Sequence, residues 1–354
     1  MYDLIVVGGG PAGASSAITV ARHGRRVLLL ERGKFPRHKV CGEFVSAESL
    51  GLLSTLLDAQ HSHLLNDSPR IANARIFVDG QVLQTSVEPP SASITRFDLD
   101  IALWSSAQKS GVTTREQVVV QSISGSGPFH LTTSAGNFAT GAVINASGRW
   151  SNLSMAASEQ EKQAPKWIGL KAHFTEPNPS PSVDLYFFEG GYCGVQPIGA
   201  DTINASAMVR ADVANRLPDV LPRHAALMER SRHWQPLTDP ISISPLIFRM
   251  PQPVRDGMFL VGDAALFVDP FVGDGISLAL RSGALAGECL ESEMSVNDAL
   301  NKYQRVYQER FAPVFKTSSK IRRMLVLPRS VRKPLLFMLQ STPGITRYLV
   351  SKTR

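Results

Sequence analysis

The sequence predicts an α/β fold in which a parallel, nucleotide-type core carries a lobe built on antiparallel sheet, followed by a helical C-terminal segment. Three observations lead there. The first 31 residues read strand, glycine-rich turn, helix, strand, which is a complete βαβ unit. Residues 166–209 alternate apolar and polar positions in four short runs, the pattern of an antiparallel sheet. Beyond residue 296 the chain reads as helical and basic, cut by prolines at 328, 334 and 343.

The elements follow in order. Residues 2–7 are an apolar run of strand length, ended by Gly8-Gly9-Gly10-Pro11-Ala12-Gly13. The small-residue stretch from Ala14 is a helix closed by Gly24, a C-cap glycine. Residues 26–31 are a second, fully buried strand ending in an acid. Further strands are expected at 75–78, 82–85, 118–123, 129–133 and 142–145, and a helix at 97–109. The alternating block gives strands at 167–174, 183–188, 191–197 and 202–208. A helix over 215–232, a buried strand at 258–261 and a helix over 275–290 complete the expectation.

Composition narrows the class. With 43% hydrophobic and 19% charged residues the chain is an ordinary globular protein, so disorder and coiled coil are excluded. No run of about 18 apolar residues offers a membrane span. The start on Met-Tyr-Asp-Leu-Ile-Val-Val has no basic or apolar leader, and Cys41, Cys193 and Cys289 are too widely spaced for a disulfide framework or a zinc site. A cytoplasmic location is expected. The net charge of +7 hides a division: Phe311 to Arg354 holds ten Lys or Arg and no acid, which leaves the first 310 residues at −3. The basic balance is therefore no nucleic-acid surface. The tail from Lys320 mixes cations with Leu, Met and Phe and suits peripheral contact with an anionic membrane at its inner face; a solvated helical cap is the alternative. His61-x-His63 lacks partners in a metal pattern and reads as surface, and Arg37 reads as solvated.

Two motifs carry chemistry. Gly8-x-Gly10-x-x-Gly13 follows a strand and opens a helix, with Glu31 eighteen residues past the last glycine. Gly8 makes the tight turn, Gly10 lets a pyrophosphate approach the backbone, Gly13 permits close helix–strand packing, and Glu31 accepts from a ribose hydroxyl. An acid there disfavours a 2′-phosphate, which leaves NAD or FAD. The second motif is Met258-Phe-Leu-Val-Gly262-Asp263-Ala264-Ala265, then Pro270-Phe-Val-Gly273-Asp274-Gly275-Ile276 opening a helix. An acid at a strand end beside a second glycine-rich helix start suits a ribityl chain, and so selects FAD over NAD.

With Arg96-x-Asp98-x-Asp100 and Ala146-Ser147-Gly148, these motifs resemble the FAD-dependent oxidoreductases of the p-hydroxybenzoate hydroxylase fold. Lys39-Val40-Cys41-Gly42-Glu43 is similar to the Lys-x-Cys-Gly segment of the geranylgeranyl reductase-like branch, and Tyr192-x-Gly194-x-x-Pro197 stands where that branch has Tyr-x-Trp-x-x-Pro. The resemblance covers roughly residues 1–300. It implies that Gly8, Gly10, Ala12 and Gly13 touch the pyrophosphate, Glu31 the ribose, Arg96 the phosphates or ribityl, Val120 the adenine and Asp263 the ribityl hydroxyls. Cys41, Gly42 and the backbone near Phe44 would approach the flavin side, with Cys41 the catalytic candidate. Gly275 and Ile276 would offer backbone N–H groups to the isoalloxazine carbonyl.

The expected cofactor-binding domain is discontinuous (1–70, 95–160 and 250–295), with a substrate lobe from 71–94 and 161–249 and a basic helical segment at 296–354. The expected function is FAD-dependent reduction of carbon–carbon double bonds in an isoprenoid or other lipophilic small molecule. The alternatives are an FAD monooxygenase hydroxylating or epoxidising an aromatic or polyketide-like substrate, and a flavin-binding partner without strong catalysis. Electrons would come from NAD(P)H or another donor. Ser147-Gly148 stands where many hydroxylases carry Asp-Gly, which argues against direct NADPH use. The Trp-x-Trp-x-x-Pro signature of flavin halogenases is missing, which argues against halogenation.

Overall fold

The computed structural model describes residues 2–149, 153, 161, 163, 165–291 and 295–325. Two eight-stranded sheets organise them. The first holds β1 (Tyr2–Val7), β2 (Val27–Leu30), β6 (Thr113–Arg115), β7 (Val120–Ser124), β8 (Phe129–Thr133), β9 (Gly136–Asn145), β15 (Val254–Arg255) and β16 (Met258–Leu260). β1 pairs in parallel with β2 and β9, β2 with β6, and β9 with β16, while β7 and β8 add an antiparallel flap to β9. β2, β16 and the C-terminal halves of β1 and β9 are apolar and buried on both faces, as a sheet covered by helices requires.

The first helix, α1 (Pro11–Arg22), starts three residues before the sequence suggests, with Pro11 in its first turn and Gly10 as N-cap. Two short helices, α2 (Leu50–Leu56) and α3 (His63–Asp67), lead out of the core; His61 is no free surface residue, because its Nδ1 sits 2.9 Å from Asp58 Oδ2. Helix α4 (Arg96–Lys109) is capped by Thr95, whose side chain accepts from the Asp98 amide.

The second sheet runs β14 (Ile241–Ile243), β10 (Trp167–Thr175), β13 (Thr202–Arg210), β12 (Gly191–Pro197), β11 (Ser182–Phe188), β4 (Arg70–Val78), β5 (Gln81–Ser93) and β3 (Phe44–Val45). All pairs are antiparallel except β11 with β4. It takes in Phe44–Val45, outside the 71–94 and 161–249 expected for the lobe, because these residues pair with Ser93 and Ala92. Strand β5 outlasts the expected 82–85. Its prolines, Pro89 and Pro90, sit where the register shifts between Ile71 and Asn73, so the ladder needs no donor from them. The helix expected over 215–232 is broken: α5 (Leu217–Val220) and α6 (Ala225–Arg230) flank a turn at Leu221–Arg223, with His224 extended. Pro222 supplies no N–H to continue the first helix.

Two long helices finish the described chain, α7 (Gly275–Glu291) and α8 (Val296–Leu325), the latter running through Pro313. Helix α7 lies on α1: Ser15 Oγ donates to the Leu280 carbonyl at 2.8 Å, and a Cβ at Gly283 would fall 2.2 Å from the Ala12 carbonyl oxygen. That contact seats the first turn of α1 against the middle of α7. No helix among the described residues is long and apolar enough to cross a membrane. The tail expected to contact one lies, beyond residue 325, outside the described residues.

Candidate cofactor and substrate site

The glycines of the two motifs fall into two kinds. A Cβ at Gly8 would strike the Ala146 carbonyl oxygen at 2.4 Å, and one at Gly13 the Gly8 carbonyl oxygen at 1.8 Å, so both are required by packing; Gly8 also has φ +109°. Gly10 differs. A Cβ there would meet only Arg96 Nη2, at 3.6 Å. Gly42 opens likewise, with Ser206 Oγ 3.9 Å away, and around Gly275 there is open space. At these three a ligand can come against the backbone.

Charge at the α1 N-terminus suits a pyrophosphate. The helix has no acid in its first turn. Arg96 reaches Gly10 while Asp100 holds its guanidinium by two bonds of 2.6 and 2.7 Å. Burial, then Arg37 and Arg96, push the Lys39 ammonium down to about 8. A dianionic group would return that proton. FAD affinity should thus be full below pH 8 and decline as pH rises through it, by about tenfold between pH 7 and 9.5. Lys39→Met should flatten the profile measured by fluorescence titration, and a slope unchanged in the variant would exclude Lys39 from the site.

Glu31 lies beside the glycine turn and is buried. Its carboxylate accepts from the Gly9 amide at 2.9 Å and the Gly33 amide at 2.8 Å. Arg37, expected to be solvated, pairs with it at 3.1 Å because the 33–37 turn folds back over the strand end. The Val118 amide donates to the Glu31 carbonyl at 2.9 Å, while Val120 is two residues on, in β7, with its side chain in the core. Ala12 is buried in the first turn of α1 under α7. Asp263 follows β16 and is 39% exposed, paired with Arg149 at 3.1 Å, so one face of its carboxylate stays open to a hydroxyl-bearing ligand.

The second glycine turn and the Cys41 segment run side by side. The Phe44 ring lies 3.1 Å from the Cβ position of Gly273, Ser46 Oγ donates to Asp274 Oδ1 at 2.9 Å, and the Ser46 amide donates to Ser277 Oγ at 3.1 Å. Ile276 is buried next to Gly275 at the start of α7. Cys41 is half-buried, and burial raises its thiol above the ordinary cysteine range, so Sγ keeps its proton at neutral pH.

Above that segment stands one face of the lobe sheet, and its register grades it from polar to apolar. His173, Asn204 and Gln196 share a row, then Lys171, Ser206 and Gly194, then Gly169, Met208 and Tyr192. Asn204 Nδ2 donates to the Cys41 and Gly42 carbonyls, both at 3.0 Å. The middle row holds Gly194 and Ser206, whose Oγ lies 3.9 Å from the Cβ position of Gly42. At the far edge Tyr192 and Met208 join Leu185, Leu246 and Phe267 in an apolar cluster with Phe187 and Phe271 against it. There Phe248 and Phe267 stack at 5.0 Å, with Arg149 3.4 Å over Phe267 and Arg322 4.2 Å over Phe248. Two buried carboxyls flank the turn: burial pushes Asp269 up to about 7 and Asp274 up to about 6.

Sequence reasoning missed the buried triad at the polar corner. Glu43 bonds His173 Nε2 at 2.8 Å and Lys171 Nζ, and both oxygens of its carboxylate are used. The only trace in the sequence is Lys171 and His173 two apart in an otherwise buried strand. Among the described residues no cluster of His, Cys, Asp and Glu could hold a metal ion.

Comparison with known proteins agrees with this chemistry. The family model for FAD dependent oxidoreductases matches residues 3–41. A menaquinone reductase of Mycolicibacterium smegmatis is 27% identical over 92% of this chain and 85% of its own length. Digeranylgeranylglycerophospholipid reductase 2 of Methanopyrus kandleri is 26% identical, over 90% of this chain and 85% of its own. Among solved structures, a geranylgeranyl bacteriochlorophyll reductase-like protein of Thermoplasma acidophilum superposes with TM-score 0.77 at 20% identity, over 99% of this chain and 95% of that one. A flavin-dependent brominase gives TM-score 0.81 at 19% identity, over 99% and 93%. The fold is therefore shared by reductases and halogenases.

Proposed function

We propose that this chain, an FAD-dependent oxidoreductase, reduces carbon–carbon double bonds of an isoprenoid or similarly lipophilic substrate. The observation that carries the reading is the graded face of the lobe sheet. Its apolar edge at Tyr192, Met208 and Phe187 can take a hydrocarbon chain, and its polar corner holds the Cys41–Gly42 backbone. The reductase-named relatives, which align over about nine-tenths of the chain, support the same direction.

Bound FAD, once reduced, supplies a hydride for the alkene. The chain's part is to bind, orient and protonate. Gly10, Arg96 and Lys39 would hold the pyrophosphate, Glu31 and Asp263 would accept from ribose and ribityl hydroxyls, and the amides of Gly275 and Ile276 would donate to a carbonyl of the flavin. Cys41 Sγ carries a proton at neutral pH and is the donor to the second alkene carbon. The apolar wall excludes water from the reacting carbons. Electrons enter from NAD(P)H or another donor.

Incubation of the FAD-loaded protein with a geranylgeranyl lipid and a reductant should yield product heavier by two hydrogen atoms for each bond reduced. Phe187 packs on Tyr192 at 5.3 Å and Phe271 at 6.2 Å, at the edge of the wall. Phe187→Asn should leave flavin content unchanged and raise KM about tenfold, the loss of one aromatic contact. A product that gains oxygen, or an unchanged KM, would refute the assignment.

A further inference from the structure

We propose that Glu43, Lys171 and His173 are positioning residues: an ion-paired clamp between the lobe sheet and the Cys41–Gly42 turn that fixes where the thiol and the two backbone carbonyls stand. The clamp rests on the reading of that turn as the part of the chain that meets the flavin, and it names residues for which the two glycine motifs give no role.

The turn is held from several directions, and Glu43 is common to most of them. Its amide donates to Cys41 Sγ at 3.3 Å, so the residue that carries the carboxylate also touches the thiol. Its Oε1 accepts from the Arg96 amide at 2.8 Å, at the first residue of α4, whose guanidinium reaches Gly10. Its carbonyl accepts from the Ile94 amide at 3.0 Å. Its carboxylate is gripped by Lys171 and His173, neighbours on one face of β10. Asn204, opposite His173 in the register, takes the Cys41 and Gly42 carbonyls. His38 stands edge-on to His173 at 5.3 Å and stacks on Phe97 at 4.9 Å, which closes the cluster on the α4 side.

Two features set this apart from an ordinary surface ion pair. The Glu43 side chain is 0% and that of Lys171 1% exposed, so each charge depends on the other for the water it has lost. Burial would raise the Glu43 carboxyl, yet His173 and Lys171 hold it below the usual carboxylate range. Moreover, Glu43 sits at φ +62°, in the left-handed region that favours glycine. A glutamate there carries a backbone cost of about 1 kcal/mol or more, which its side-chain contacts must offset. A purely conformational need would be met better by glycine.

The test separates stability from position. Glu43→Gln and Lys171→Met each strand one buried charge and should lower the melting temperature. The double variant Glu43→Gln/Lys171→Met carries a neutral pair and should recover most of it. Glu43→Gly keeps the backbone conformation and removes the side chain together with its carboxylate. The positional readout is alkylation of Cys41 by iodoacetamide, with Cys41→Ser as background; Cys193 and Cys289 are buried. We expect alkylation about tenfold faster in all four variants, including the double variant with recovered stability, and a shifted visible spectrum of their bound FAD. Return of the double variant to the wild-type rate and spectrum, or a wild-type rate in Glu43→Gly, would overturn the clamp. Alkylation needs no flavin, so failure of the chain to bind FAD would defeat the functional reading and leave this result standing.

Discussion

Gly13→Ala is expected to purify without flavin and with a lowered melting temperature. The added methyl would lie 1.8 Å from the Gly8 carbonyl oxygen, inside the turn itself, and neither backbone can yield without opening the β1–α1 junction. Forced overpacking of that kind costs about 3 kcal/mol or more, at least a hundredfold in FAD affinity if it fell on binding alone. Gly10→Ala is the informative contrast. Its methyl meets only the end of the Arg96 side chain, at 3.6 Å, so the protein should fold normally and lose affinity because the pyrophosphate can no longer reach the amide. Flavin content and calorimetry on both variants check the pair. A Gly10→Ala protein that retains FAD as well as the parent would show that the cofactor lies elsewhere.

Asp184→Asn should destabilise the lobe by about 3–5 kcal/mol while leaving the flavin content of the folded protein unchanged. The Asp184 side chain is fully buried on the far face of the sheet. It takes Arg75 through bonds of 2.7 and 2.5 Å and Arg230 at 2.5 Å. Arg230 continues to Glu176 at 2.7 Å, and Glu176 accepts from the Trp234 indole at 2.7 Å. This network binds α6 and the following turn to β10 and β11, away from the Cys41 segment. Removing the one central carboxylate leaves two guanidinium groups without it. A loss below about 1 kcal/mol in chemical denaturation would mean that solvent already carries those charges.

How much of this could be read in the chain follows from the sequence distance over which each contact is made. The Gly8–Gly13 turn and Glu31 are local, fixed by spacing within one βαβ unit, and the structure sets them together. Arg96 and the 262–276 turn are distant in sequence but carry motif residues. The crossing over Glu31 is made by the Val118 backbone amide, and an amide leaves no mark on residue type. Glu43, Lys171 and His173 lie 128 and 130 residues apart and meet only after two sheets have docked. Arg37 looked solvated for the same reason in small: its partner is six residues back, across a turn. The strand expected at 82–85 runs on through Pro89 and Pro90 because it bulges there, while Pro222 breaks the helix expected over 215–232.

The central claim is that reduced flavin in this site gives its electrons to a carbon–carbon double bond. Dithionite-reduced, FAD-loaded protein should be mixed without oxygen with a geranylgeranyl lipid, and the flavin band followed at about 450 nm. The account predicts that the oxidised band returns at a rate that rises with lipid concentration, and that the lipid gains two hydrogen atoms for each flavin reoxidised. A band that stays bleached until oxygen is admitted, with the lipid then carrying an added oxygen atom, would contradict it.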